Sequence, residues 1–548
     1  MSLRDPRQSE TVWLARSIIP GFRAGDRAAT AMITCGGSVV ALGTRRQALR
    51  WKRAGARVID LSNVVITPGL IDSHTHLLYW ALNQCEVVDL RDARRPVDLE
   101  RAFRASRAQR AARGESDWVV GARLSARVFG DRFPTAAELD RYVPDRPLYV
   151  RSHDGHTVCL NTRALQVARI RKTTRDPVGG RIARDDRGAP TGVLHERAIE
   201  LVSDPVQQLA RSEDGGAMAR VDRALDGACR ALRMMGIVAV HTMDGPESLR
   251  AMQRRRSRDS RGQGAEVRVT HAIPLAMLDH ATALGLRAGL GDDWLRVAAV
   301  KIFSDGALGS RTALMFEAYP GTKGDYGQAV VAGAELREAV CRAASAGWPV
   351  WVHAIGDRAV SESLDAIAAA RKVEPTPLQH RIEHAQCVRP RDVARMARLG
   401  VIASMQPCHL PGDIANANAA WPRARRNAYP FRRMLERGVT LAFGSDMPIE
   451  EPAPWRGLWG ATYRAEWGAD AHGIWFPEQR TTMREALYAF TRGAAMSVGD
   501  EAGGILRPGA GADMALWSDD PRRTRSRECA ALAALGSIVG GGDPIWAK

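Results

Sequence analysis

Eight short apolar segments, separated by stretches of helical periodicity, constrain this chain more than any other feature. One ends at residue 76, and the others cover residues 236–241, 267–271, 297–303, 349–353, 380–384, 401–405 and 439–446. Helix-like segments at 334–346, 359–371 and 390–399 fall between the later ones. Eight strands joined by helical crossovers predict an α/β fold, a (β/α)8 barrel of the TIM type. One spacing is out of step. From strand one to strand two runs about 160 residues, far more than a single crossover helix, so an inserted subdomain is expected there.

The two ends of the chain read differently. Residues 10 to 65 form short strands separated by Gly and polar turns, with little helical period. Residues 504–509 and 512–517 read as two further strands of the same sheet. The expected organisation is a small composite β-sandwich from residues 1–67 and 503–548, and a barrel from 68–100 and 201–502. The insertion, 101–200, leaves from the end of strand one and is expected over the barrel mouth.

Composition removes several classes of function. Hydrophobic residues make up 45% of the chain and charged residues 25%, as in an ordinary soluble globular protein. No apolar run is long enough to span a bilayer, so no membrane role is expected. The first residues lack the apolar core of a signal peptide. The eight cysteines are scattered without a CxxC pair, which fits reduced thiols in a cytoplasm. A formal charge of +17 raises the question of nucleic acid, but the arginines are spread along the chain and no nucleic-acid motif accompanies them. No nucleic-acid partner is expected. Oligomeric state is left open, a homo-oligomer included.

Six lysines stand in a chain that otherwise uses arginine. One of them, Lys301, lies inside the apolar run of strand four, where an ammonium is costly unless paired or modified. Unlike arginine, a desolvated lysine can lose its proton and take up carbon dioxide. His74 and His76 at the end of strand one share a face, because residues two apart in a strand point the same way. His353, His384 and Asp446 stand at or near the ends of strands five, six and eight. Barrel strands converge at their C-terminal ends, so these six side chains are expected at one point. Two histidines, a bridging anion, two more histidines and an aspartate can hold two divalent ions, with zinc the leading metal.

The motifs that carry these residues resemble those of the metal-dependent amidohydrolase superfamily. Residues 68–76 (PGLIDSHTH), 300–306 (VKIFSDG), 353–359 (HAIGDRA), 381–386 (RIEHAQ) and 443–446 (FGSD) are similar to its YtcJ-like branch, which includes N-substituted formamide deformylases. The resemblance implies His74, His76 and Asp446 on one metal, His353 and His384 on the other, and a carboxylated Lys301 bridging them. It implies hydrolysis of a non-peptide carbon–nitrogen bond in a small amide by metal-activated hydroxide, with Asp446 as the proton shuttle. His156, His195 and Glu196 of the insertion, and Asp305 after strand four, are candidate substrate contacts. The chain departs from the pattern at Gly121-Ala122-Arg123, where relatives carry Gly-Trp, and matches only approximately over residues 240–244. Both departures bear on substrate choice. The competing readings are a single-metal deaminase on the same barrel and a non-catalytic barrel that binds a partner.

Overall fold

The computed structural model describes residues 10–23, 25–111, 118–152, 157–177, 180–258 and 266–547. The chain divides into two compact units, one made of the residues up to Leu77 together with those from Asp226 onward, the other of Leu78–Leu225.

The first unit holds the barrel. Its strands are Leu70–Thr75, Ile237–Thr242, Arg268–Pro274, Leu295–Phe303, Val350–Ala354, Arg381–His384, Ile402–Met405 and Leu441–Phe443, all in one eight-stranded sheet in sequence order. Every neighbouring pair is parallel. The last strand meets the first just beyond its end: the Asp446 amide donates to the His74 carbonyl at 2.8 Å, and the His76 amide to the Met447 carbonyl at 2.8 Å. Ala272, Ala299 and Trp351 pack inside with Met243 and Ala298. Helices Gly333–Ser345, Asp357–Ala370 and Pro390–Leu399 lie where the periodicity puts them.

The chain ends share a second, seven-stranded sheet. Strand Arg57–Pro68 sits at its centre, between Thr11–Ile18 and Met514–Trp517. Successive residues of Thr11–Ile18 serve opposite faces. Trp13 and Ala15 join Met32, Ile66 and Leu516, whereas Val12 and Leu14 join Ala31, Ile33 and Ala48. Gly69 is the single residue between this sheet and the barrel, and its own amide bonds to Asp513 while the next amide bonds to Gly236. A Cβ at Gly69 would come within 2.3 Å of Val238, so the handover needs glycine. One expected strand is absent. Residues 504–509 form turns, because Gly504 (φ 69°) and Gly509 (φ 86°) take left-handed backbone and Pro508 offers no amide. Ala534–Ile538 and Ile545–Trp546 extend the sheet instead.

The second unit carries a six-stranded sheet in the order Gly180–Arg184, Pro190–Glu196, Thr157–Leu160, Leu148–Ser152, Val119–Leu124, Val87–Asp89. Leu99, Phe103, Leu139, Leu148 and Val150 form its core. No helix among the described residues is long and apolar enough to cross a membrane.

Candidate metal centre

Strand one delivers His74 and His76 to the top of the barrel, and the turn after strand eight delivers Asp446. Asp446 Oδ1 lies 3.5 Å from Nε2 of each histidine. These three residues place donor atoms within 4.8 Å of one another. The approach depends on Gly444, since a Cβ there would lie 2.5 Å from the His74 amide nitrogen. Asp72 holds the same turn by accepting from the Ser445 amide at 2.9 Å and its hydroxyl at 2.6 Å. Burial pushes the Asp72 carboxyl up to about 7.

His353 and His384 arrive on strands five and six. The His384 ring lies 4.8 Å from His74, tilted, and 4.5 Å from His353, edge-on, centre to centre. His384 (φ 69°), Ala385 (φ 45°) and Asp446 (φ 60°) all take left-handed backbone without being glycine. Such conformations cost energy and persist at sites that the surrounding structure over-determines.

Each histidine of the HxH pair has its own carboxylate. Glu383 Oε2 lies 2.6 Å from His74 Nδ1, and Asp244 Oδ1 lies 3.3 Å from His76 Nδ1. With Nδ1 so engaged, Nε2 of both rings is left facing Asp446. This is the arrangement by which a carboxylate sets the tautomer and direction of a metal-ligating histidine. Arg381 holds Glu383 in turn, at 2.8 Å, and donates to the Ser73 carbonyl at 2.6 Å while lying over the Trp351 ring. Glu383 and Asp244 lie outside the set of residues expected from sequence. The signal for Glu383 was its place directly before His384 in RIEH; that for Asp244 was its place just past strand two.

The protonation of the cluster suits ligands. Burial, aided by the neighbouring Lys301, holds His74 well below the ordinary histidine value and His353 down to about 3. Burial and the facing His353 and His74 do the same for His384. These three rings are neutral at pH 7, the form that binds metal. His76 differs: burial opposes its charge, but Asp244 and Asp446 outweigh that and raise it.

Lys301 is the odd member. It is 3% exposed, and its Nζ has no hydrogen-bond partner among the described residues. Burial pulls its amine from 10.5 down to about 8, against the opposing charges of Glu383 and Asp446. A buried donor without an acceptor costs roughly 1–3 kcal/mol, and a charged one more.

Residues 57–542 match the model of the amidohydrolase family. The chain belongs to the amidohydrolase family. This amidohydrolase is 31% identical to Protein LONG AFTER FAR-RED 3 of Arabidopsis thaliana, over 89% of this chain and 83% of that one. It is 29% identical to Putative amidohydrolase YtcJ of Bacillus subtilis (strain 168), over 84% and 85% of the two chains. It is 26% identical to N-substituted formamide deformylase of Arthrobacter pascens, over 94% and 95%. An uncharacterized metal-dependent hydrolase of Pyrococcus furiosus has a similar crystal structure, with a TM-score of 0.77 at 27% identity, covering 94% of this chain and all of that one.

The remaining candidates of the amidohydrolase have partners of their own. Asp305 accepts from the amides of Leu314 (2.9 Å), Ile355 (3.0 Å) and Gly356 (2.8 Å), which ties the loop after strand four to the end of strand five. Burial raises its carboxyl to about 7. These bonds are to backbone and describe loop anchoring, and Asp305 Oδ1 also lies 3.5 Å from His353 Nε2. His195 and Glu196 belong to the second unit, where His195 Nδ1 lies 3.1 Å from the Thr157 hydroxyl and Glu196 is exposed. His156 lies outside the described residues. His409, absent from the expected set, brings Nε2 to 4.0 Å from Asp446 Oδ2 and 3.3 Å from the Ser445 carbonyl. It follows strand seven, and no spacing in the sequence ties it to Asp446.

Proposed function

We propose that this amidohydrolase cleaves a non-peptide carbon–nitrogen bond in a small amide, N-substituted formamides being the leading class, with two divalent ions, zinc first among them. The observation that carries this reading is Lys301: a buried amine with no hydrogen-bond partner among the described residues, whose neighbours include His74, His353, His384 and Asp446. The residues fit such a centre. His74, His76 and Asp446 would hold one ion and His353 and His384 the other. Lys301, carboxylated, would supply the anion between them. With its amine near 8, about a tenth of Lys301 is neutral at pH 7, which is the form that can bond to carbon dioxide and release a proton.

Bound metal would supply Lewis acidity toward the acyl oxygen and the attacking water. The chain's own part is proton handling and orientation. Asp446 takes the proton of the attacking water and returns it to the nitrogen of the leaving amine, a general base turned general acid. Glu383 and Asp244 hold His74 and His76 with Nε2 toward Asp446. The relation to N-substituted formamide deformylase supports the choice of amides. A cytoplasmic location is supported by eight free thiols.

The test is a hydrolysis screen of N-formyl, N-acetyl and longer N-acyl amines, with and without chelator. Amine release that stops with chelator and returns with zinc is expected. No release from any of these by the zinc-loaded protein would remove the reading. A one-ion deaminase is the second reading, favoured by the fact that, among the described residues, His74, His76 and Asp446 alone form a close donor set. It leaves Lys301 without a task.

A further inference from the structure

Strand four carries Lys301 into the centre, and Phe303, two residues on, shares its face one step nearer the barrel mouth. The Phe303 ring lies 4.8 Å from Lys301 Nζ and 5.3 Å from the His353 ring. Yet it is 45% exposed, while the strand residues before it, 297–302, are buried. A phenylalanine on the inward face of a barrel strand ordinarily packs into the core. Here the ring instead keeps an open face beside the candidate centre.

Two further apolar side chains are exposed on segments tied to barrel strand ends. Val330, 50% exposed, is held to the same strand end by its amide on the Ser304 carbonyl (2.9 Å), with Val331 on the Phe303 carbonyl (3.1 Å). Ile449, 67% exposed, follows Asp446 in a turn closed by its amide on the Asp446 carbonyl at 2.8 Å. Apolar surface thus adjoins the centre at Phe303, and Ile449 is exposed in the turn that carries Asp446. Single exposed apolar residues are common, but these are fixed to the strand ends that bear the candidate ligands.

We propose that Phe303 is the specificity-determining residue of this site, and that the substrate carries an apolar group, aryl or branched alkyl, that lies on its ring. The proposal rests on the amide-hydrolase reading for the bond broken, and on the Phe303 geometry for the group recognised. A ring on a ring in this setting covers enough apolar surface for about a tenfold preference, the lower end of what an apolar pocket contributes to discrimination.

The experiment compares wild type, Phe303→Ala and Phe303→Tyr, all zinc-loaded, by two readouts. One is kcat/KM on N-methylformamide and N-(2-phenylethyl)formamide, whose leaving amines are alike in basicity. The other is calorimetric affinity for N-hydroxy-N-methylformamide and N-hydroxy-N-(2-phenylethyl)formamide, which carry the group on the same nitrogen and need no turnover. Wild type is expected to favour the phenyl member of each pair about tenfold, Phe303→Ala to lose that preference, and Phe303→Tyr to retain it. Equal affinity of wild type for the two N-hydroxyformamides overturns the proposal, as does a phenyl preference that survives in Phe303→Ala. A phenyl preference in binding without hydrolysis of either amide removes the amide reading and leaves the Phe303 contact standing.

Discussion

Glu383 Oε2 lies 2.6 Å from His74 Nδ1, while Arg381 grips the same carboxylate from below at 2.8 Å. All three side chains are buried. The pair therefore does two things. It points the His74 ring, and it neutralises an arginine that burial alone would push toward losing its charge. Removing Glu383 leaves Arg381 without its carboxylate in the barrel interior, and a buried charge stripped of its partner costs about 3–5 kcal/mol. Glu383→Ala is accordingly expected to lose about that much stability in chelator, read by urea denaturation. A loss below about 1 kcal/mol would mean that the ion pair is not as dry as the geometry has it.

Asp244 offers a gentler probe of the same principle. It stands behind His76 at 3.3 Å, and the Thr242 hydroxyl donates to its other oxygen at 3.0 Å. Asp244→Asn keeps the shape and removes the charge. Zinc affinity is expected to fall about 10- to 100-fold with little change in the fold, measured by competition with a chromophoric chelator. Unchanged affinity would show that His76 needs no orienting partner.

Lys301 gives the metal-free protein a pH dependence of definite sign. Its amine sits at about 8 in the folded state against 10.5 as the ordinary value. Between those values the unfolded chain holds a proton that the folded chain has released, so stability rises with pH through this window and the penalty is complete below it. The difference amounts to about 3 kcal/mol. Lys301→Met removes the charge and keeps the bulk. In chelator at pH 7 the variant is expected to be the more stable protein, with the gap closing by pH 10.5. Equal stability of the two at pH 7 would mean that the lysine finds a partner in solution.

Much of the fold was legible because parallel strands buried on both faces leave near-continuous apolar runs, such as Val297–Ile302. The candidate ligands were legible because barrel topology brings strand ends together whatever their separation in sequence. Contacts made across the barrel left no such trace. Glu383 meets His74 from a position 309 residues away, and its only local sign was the adjacent His384. Asp305 read as a turn residue after strand four and a candidate substrate contact, and the three backbone amides that it accepts from could not be read from the sequence. Residues 504–509 looked like a strand from Ile505 and Leu506. Their flanking glycines and Pro508 decided for turns.

Asp446 is placed to work in two directions, with Oδ1 toward His74 and His76 and Oδ2 toward His409. Asp446→Asn keeps the hydrogen-bonding shape but cannot take a proton. Turnover of any amide that the screen identifies is expected to drop about 10²- to 10⁴-fold. A variant retaining more than a tenth of wild-type kcat would place the proton shuttle elsewhere.

Lys301, carboxylated, would join two ions in one cage. The most direct test is the metal content of protein produced with zinc and bicarbonate, measured by elemental analysis on wild type and Lys301→Ala. Wild type is expected to carry two equivalents per chain and the variant no more than one, with turnover lost. Wild type holding one or none, or a variant that keeps both ions and full turnover, would contradict it.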